Sequence, residues 1–247
     1  MAQTCSAENF LQRLSAAATP EEQRKLQRYF KSGEGNYGDG DVFLGVRMGK
    51  VFALAKEFIA MEPAEIELLL ESPLHEARAG AMSIMDKQGR APRTSESRRK
   101  ELFELYLRRH DRINNWDLVD LGAPFVVGRY LADKGRGVLD TLALSGDLWE
   151  RRTAIVATAY YIRQGEIDDT FRIAELLLGD REDLIHKAVG GWVRQAGTVD
   201  RDRLLRFLDE RAATMPRTML RYAIEHLEAE QRAHYLGLKH AGRRCRQ

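Results

Sequence analysis

Within the seven residues Asn114-Asn115-Trp116-Asp117-Leu118-Val119-Asp120 the chain places one indole and two carboxylates. At helical spacing Trp116 and Asp120, four positions apart, share one face, and Asp117 points elsewhere. A flat aromatic beside a carboxylate suits a cationic, planar ligand, because the ring quadrupole and the carboxylate charge attract it together. The same spacing also fits a tryptophan set into a helix–helix seam, with Asp117 capping the helix start. The stretch alone leaves both readings open, so the elements that hold it decide between them.

A chain of 247 residues with 44% hydrophobic and 31% charged residues is long enough for one large domain or a helical array. The net charge of +2 excludes a polycation, so any affinity for nucleic acid must come from where the charges sit. Two cysteines, Cys5 and Cys245, stand near opposite ends. They make neither a disulfide framework nor a metal site, and they suit a reducing compartment. The opening MAQTCSAENF has no basic segment running into an apolar one, so no secretory signal is expected, and the apolar runs fall far short of a membrane span. These features predict a cytoplasmic protein with no membrane partner, and a monomer is expected.

Helical patterns fill most of the chain. Ser6-Ala7-Glu8-Asn9 opens an amphipathic segment, and Thr19-Pro20-Glu21-Glu22 starts a helix with proline in its first turn. The glycine-rich run from Gly33 to Asp41 is a loop. Asp39 and Asp41 within it lack the distal glutamate of a calcium loop, so no metal is expected. A helix through Phe52, Leu54 and Phe58 follows. Further helices are expected over Pro63–Glu71, His75–Met85, Ser95–His110, Asn115–Tyr130, Gly137–Ala143, Leu148–Arg163, Asp168–Leu178, Arg181–Gln195, Asp200–Arg211 and Pro216–Leu227. Period-two alternation is missing throughout, which predicts an all-α fold.

The helices recur in pairs. Aligning the second helix of each pair brings Arg78, Asp120, Arg152, Lys187 and Arg221 into register, with steps of 42, 32, 35 and 34 residues. Two helices per period of roughly 30–47 residues is the signature of an α-solenoid of HEAT or armadillo type. Residues 1–238 are expected to form one such domain and 239–247 a basic tail. In these arrays the second helices line a concave face. The row then reads as four cations and one carboxylate in a basic groove, the electrostatic requirement of a phosphate backbone. A charge row can equally be a solvated face. A single carboxylate among cations is harder to explain that way, and its neighbours favour its ionised form.

Several blocks resemble a known family. NNWDLVDLGAPFVVGRYL, LWERRTAIVATAYYIRQGE, DLIHKAVGGWVRQAG and MPRTMLRYAIE, with VFLGVR and SPLHEARAGAM earlier, are similar to the AlkD-like DNA alkylation repair family of HEAT-repeat DNA glycosylases, over roughly residues 25–238. The resemblance implies excision of positively charged N3- and N7-alkylated purines from double-stranded DNA, without burial of the lesion in a pocket, and no cofactor. It places the family's tryptophan and catalytic aspartate on Trp116 and Asp120, and its phosphate-contacting arginine on Arg152. A second family tryptophan falls on Gly191, and here the tryptophan is Trp192, one position later. A regular helix rotates about 100° per residue, so Trp192 is expected off that line unless Gly190-Gly191 distorts the helix.

The site residues expected from register and resemblance are therefore Asp120 and Trp116 for catalysis, and Arg152, Lys187, Arg221, Arg78 and Trp192 for DNA. His186 is expected to orient or pack, and Trp149 to lie in the core. The alternatives are a non-catalytic HEAT-repeat module for damaged or branched DNA, and a protein–protein scaffold, against which the basic row argues.

Overall fold

The structure of the chain is a computed structural model that describes residues 5–33, 38 and 40–238. The tail 239–247, Cys245, Asp39 and the first four residues lie outside that description. The described residues are helical, apart from loops and one isolated bridge between Val42 and Leu74, and no strand occurs among them. The chain is all-α and built of helix pairs, as the repeat register implies. No described helix is long and apolar enough to cross a membrane.

Contacts divide the chain into two compact units, residues 1–130 and 131–247. The first holds α1 (Ala7–Ala16), α2 (Pro20–Tyr29), α3 (Met48–Glu57), α4 (Pro63–Glu71), α5 (His75–Arg90), α6 (Glu96–Arg108) and α7 (Trp116–Gly122). α5 is its axis. It packs against α3, α4, α6 and α7, and nearly every one of its residues is buried. That burial explains why it runs to Arg90 rather than ending at Met85 as its sequence suggests. Tertiary packing on all sides outweighs the weak local stop signal.

The expected single helix Asn115–Tyr130 is split. α7 ends at Gly122 and a π-helical turn, Ala123–Gly128, follows. Pro124 is the cause: it has no N–H to donate to the Asp120 carbonyl, so the ladder slips and the Arg129 N–H bonds the Pro124 oxygen at 3.0 Å.

The second unit holds α8 (Gly137–Ala143), α9 (Leu148–Ala157), α10 (Ala159–Ile162), α11 (Asp168–Leu176), α12 (Asp183–Ala196), α13 (Arg201–Arg211), α14 (Arg217–Ala223) and α15 (Ala229–Gly237). The expected helix Leu148–Arg163 is interrupted at Thr158, whose buried hydroxyl donates back to the Ile155 carbonyl at 2.7 Å. Trp149 is buried, as its position suggested. α15 carries no strong apolar pattern; it is pinned by buried Tyr235, whose hydroxyl donates to Asp209 at 2.8 Å. α12 packs against α9, α11, α13 and most closely α14. Gly190 permits that closeness, because a Cβ there would stand 2.3 Å from the Met219 carbonyl oxygen.

Candidate functional site

In the first unit the site is α7 and the packing beneath it. Asn115, not Asp117, caps the helix: its Oδ1 accepts from the Trp116 N–H at 2.8 Å. Trp116 is half-buried. Its ring stacks on Phe30 with centroids 5.6 Å apart and meets Tyr29 edge-on at 6.0 Å. Phe30 belongs to an apolar cluster with Leu26 and Phe43, to which Trp116 adds. The seam reading is thus half right: one side of the indole is packing, and the residue still reaches solvent. Asp120, one turn on, is exposed. Tyr29 is also exposed, at 63%, and sequence reasoning passed it over because it ends a helix far from the motif in the chain.

Asp117 is committed elsewhere. Its Oδ2 accepts from His75 Nε2 at 2.9 Å, and His75 Nδ1 lies 3.5 Å from Asp41 Oδ2, an ion-pair distance rather than a formed hydrogen bond. Asp41 also accepts from the Arg78 guanidinium and from Asn115 Nδ2, the latter at 2.8 Å. Burial by itself would lower the His75 pKa, but the Asp117 hydrogen bond and the charges of Asp117 and Asp41 overcome that and push it up to about 9. Burial would raise Asp41, but the nearby His75, the Asn115 hydrogen bond and the Arg78 charge outweigh it, holding the carboxyl below its usual range.

Arg78 corrects an expectation. It was placed in the surface row, but it is 3% exposed, and its guanidinium is spent on Asp41 and on the carbonyls of Ser72 and Pro73 at 3.0 and 3.1 Å. The glycine-rich loop supplies its partner: Asp41 is a buried ion-pair carboxylate. Among the described residues no group of three His, Cys, Asp or Glu side chains converges as a metal site does.

The segment carrying Asp41 and Phe43 is itself locked onto α5. Buried Glu76 accepts the backbone N–H groups of Leu44, Gly45 and Val46 at 2.8–3.1 Å, and Val42 gives its carbonyl to the His75 N–H at 2.8 Å. Gly45 has φ +100° and lies against Thr19, where a side chain would meet the Thr19 carbonyl at 2.3 Å.

In the second unit a cleft of about 310 Å³ is lined by Arg152, Lys187, Gly191, Trp192, Arg194 and Tyr222, with Ala188 and Gln195 between them. α12 is continuous through Gly190-Gly191, with no bulge. The regular helix still brings Trp192 to the cleft, because Ala188, Gly191, Trp192 and Gln195 fall on one face at spacings of three and four. Gly191 is open: a Cβ there would have nothing within 4 Å.

Arg152 is mostly buried and donates to the Leu184 carbonyl at 2.9 Å while reaching the cleft. Lys187 is half-exposed and pairs with Asp183 at 2.7 Å; that partner holds the Asp183 carboxyl below its usual range. Arg194 pairs with Glu225. Arg221 is exposed on α14 but does not line the cleft; its neighbour Tyr222 does. His186 orients, as expected: its Nε2 lies 2.7 Å from the Asp180 carbonyl, which can only accept, so that nitrogen carries the proton.

A model of the DNA alkylation repair enzyme family matches residues 10–227. The chain belongs to that family. A solved structure described as a predicted DNA alkylation repair enzyme from Enterococcus faecalis is similar to this DNA alkylation repair family member with a TM-score of 0.66 and 19% identity, covering 86% of this chain and 97% of that one. At that identity the likeness speaks for the fold. Among curated proteins none matches this family member. Membership makes repair of alkylated DNA the setting in which the α7 residues and the cationic cleft are to be understood.

Proposed function

We propose that this DNA alkylation repair protein is a monofunctional DNA glycosylase that hydrolyses the N-glycosidic bond of positively charged N3- and N7-alkylated purines in double-stranded DNA. The observation that carries the reading is an exposed carboxylate, Asp120, one turn from a half-exposed indole, Trp116, on a helix whose start is fixed by buried polar contacts.

The chemistry follows from the substrate. An N7- or N3-alkylated purine already bears a positive charge, so it leaves without being protonated. The C1′–N bond breaks and its electron pair goes to the purine, neutralising it. Positive charge builds on the deoxyribose, where Asp120 stabilises it. Asp120 then takes the proton of the water whose oxygen bonds to C1′. Trp116 adds cation–π attraction of roughly 0.5–2 kcal/mol, rising with desolvation.

Arg152 and Lys187, with Arg221 on the neighbouring helix, would hold phosphates, and Trp192 would supply an apolar face beside them. None of these contacts reads a base edge, so sequence preference should be weak.

The test is incubation with a duplex containing N7-methylguanine, scored for free methylated base and abasic sites. Tight duplex binding without release would support the alternative, a non-catalytic module for damaged or branched DNA.

A further inference from the structure

We infer that His75 is a positioning residue for base excision: its ring, held between Asp41 and Asp117, sets the first turn of α7 and through it the aim of Trp116 and Asp120. The inference rests on the glycosylase reading above and extends it to residues that touch neither sugar nor base.

Three physical links run from this ring into α7. The first is the Asp117 hydrogen bond at 2.9 Å, one residue from Trp116. The second passes through Asp41, which accepts from Asn115 Nδ2 at 2.8 Å while Asn115 Oδ1 caps the Trp116 N–H at 2.8 Å. The third is aromatic. Phe30 lies 4.7 Å from the His75 ring and 5.6 Å from the Trp116 ring, so it is shared between them. Phe43 stands 4.9 Å from the same imidazole. His75 is fully buried, so its own side of these contacts is shielded from solvent.

Charge balance makes the arrangement depend on protonation. The groups facing the ring are Asp41 from the segment before α3 and Asp117 from α7, and Arg78 from α5 itself acts on both carboxylates. Arg112 stands close enough to Arg78 to act on it, while donating to the carbonyls of Leu70, Glu71 and Ser72. With the imidazole protonated, the buried Asp41 and the partly buried Asp117 face two buried cations, His75 and Arg78. With it neutral, one negative charge is left uncompensated at the first turn of α7, and an uncompensated buried charge is costly.

The His75 pKa is raised from its ordinary value to about 9. The folded pKa lies above the unfolded one, so the clamp contributes fully below the unfolded value and is lost as pH rises through about 9.

The experiment uses the full chain and an N7-methylguanine duplex. Single-turnover release is measured from about pH 6 to about pH 10 for the wild type and His75→Gln, with duplex affinity alongside; glutamine keeps a donor but cannot carry charge. The wild-type rate is expected to fall with a midpoint near 9. H75Q is expected to be slower at neutral pH by about 10–100-fold, the cost of a small misplacement, with no such midpoint and with duplex affinity within about twofold. An H75Q profile that overlays the wild type overturns the proposal.

A second readout needs no catalysis. Trp149→Phe combined with Trp192→Phe leaves Trp116 as the sole indole, and its emission is followed through the same range. A transition near 9, moved downward by Asp117→Asn, supports the clamp even if H75Q fails to fold. A flat titration overturns it. If the wild type releases no base while the Trp116 transition is present, the glycosylase reading falls and the coupling of His75 to α7 stands.

Discussion

Arg78 and Lys187 hold equivalent places in the repeat register, near the starts of α5 and α12, and the two units use them in opposite ways. In the first unit the cation is sealed inside and bonded to Asp41 and two carbonyls, and it stabilises the helix starts. In the second the cation stands half-exposed at the edge of a cleft, paired with Asp183. The difference lies in the surroundings. α5 is packed on nearly every face. α12 has one side, through Ala188, Gly191, Trp192 and Gln195, that borders open space. The lesson is that a charge at a repeat position is a ligand contact only where the neighbouring helices leave its face bare; where they close over it, the same charge becomes architecture.

The largest expected effect breaks the comparison at its catalytic end. Asp120→Asn keeps size and hydrogen bonding but removes the charge. It should cut release of N7-methylguanine by roughly 10²–10³-fold, the usual loss when one electrostatic stabiliser is removed, and leave duplex affinity unchanged. Single-turnover kinetics beside a binding isotherm checks both halves, and wild-type rates would remove Asp120 from the mechanism.

Next comes the contrast between buried and exposed cations. Arg78→Ala strands Asp41 and should lower unfolding stability by about 3–5 kcal/mol, the range for breaking a buried pair. Arg221→Ala, at an exposed site, should stay within about 0.5 kcal/mol. Urea titration of the two variants decides. Equal losses would mean burial is not what separates the units.

Lys187→Ala tests the cleft. Duplex binding should weaken and the slope of log affinity against log salt should fall by about 1, the loss of one phosphate contact. An unchanged slope would take Lys187 out of the interface.

Two adjacent glycines give the smallest and sharpest test. Gly190→Ala drives a methyl into the Met219 carbonyl and should cost about 1–3 kcal/mol, as overpacking does. Gly191→Ala meets nothing and should stabilise α12 by up to about 1 kcal/mol through helix propensity. Thermal unfolding distinguishes them, and matching shifts would mean that α14 does not pack on Gly190 as described.

The all-α class, the helix pairs and most helix starts follow from local pattern alone. Ser6, Thr19, Ser95, Asp147 and Asp200 each cap the helix that their position announces, because a cap is a hydrogen bond within three residues. Trp116 and Asp120 could be singled out for the same reason: a spacing of four fixes a shared face without knowledge of the rest of the chain. The break at Pro124 was also written locally, in a missing N–H, although the hydrophobic pattern ran through it and disguised it.

What only the tertiary structure decided is where each charge ends up. The pairing of Asp41 with Arg78 and His75 spans more than 30 residues of sequence, and whether α5 buries Arg78 depends on four other helices arriving around it. Likewise the register of α12 puts Trp192 on one face with Ala188, Gly191 and Gln195, but that this face borders a cleft depends on the helices packed around it. Secondary structure is set by bonds a few residues long, so it is legible in the chain. Burial, and with it the protonation of His75, is set by neighbours brought from a distance, so only the folded molecule determines it.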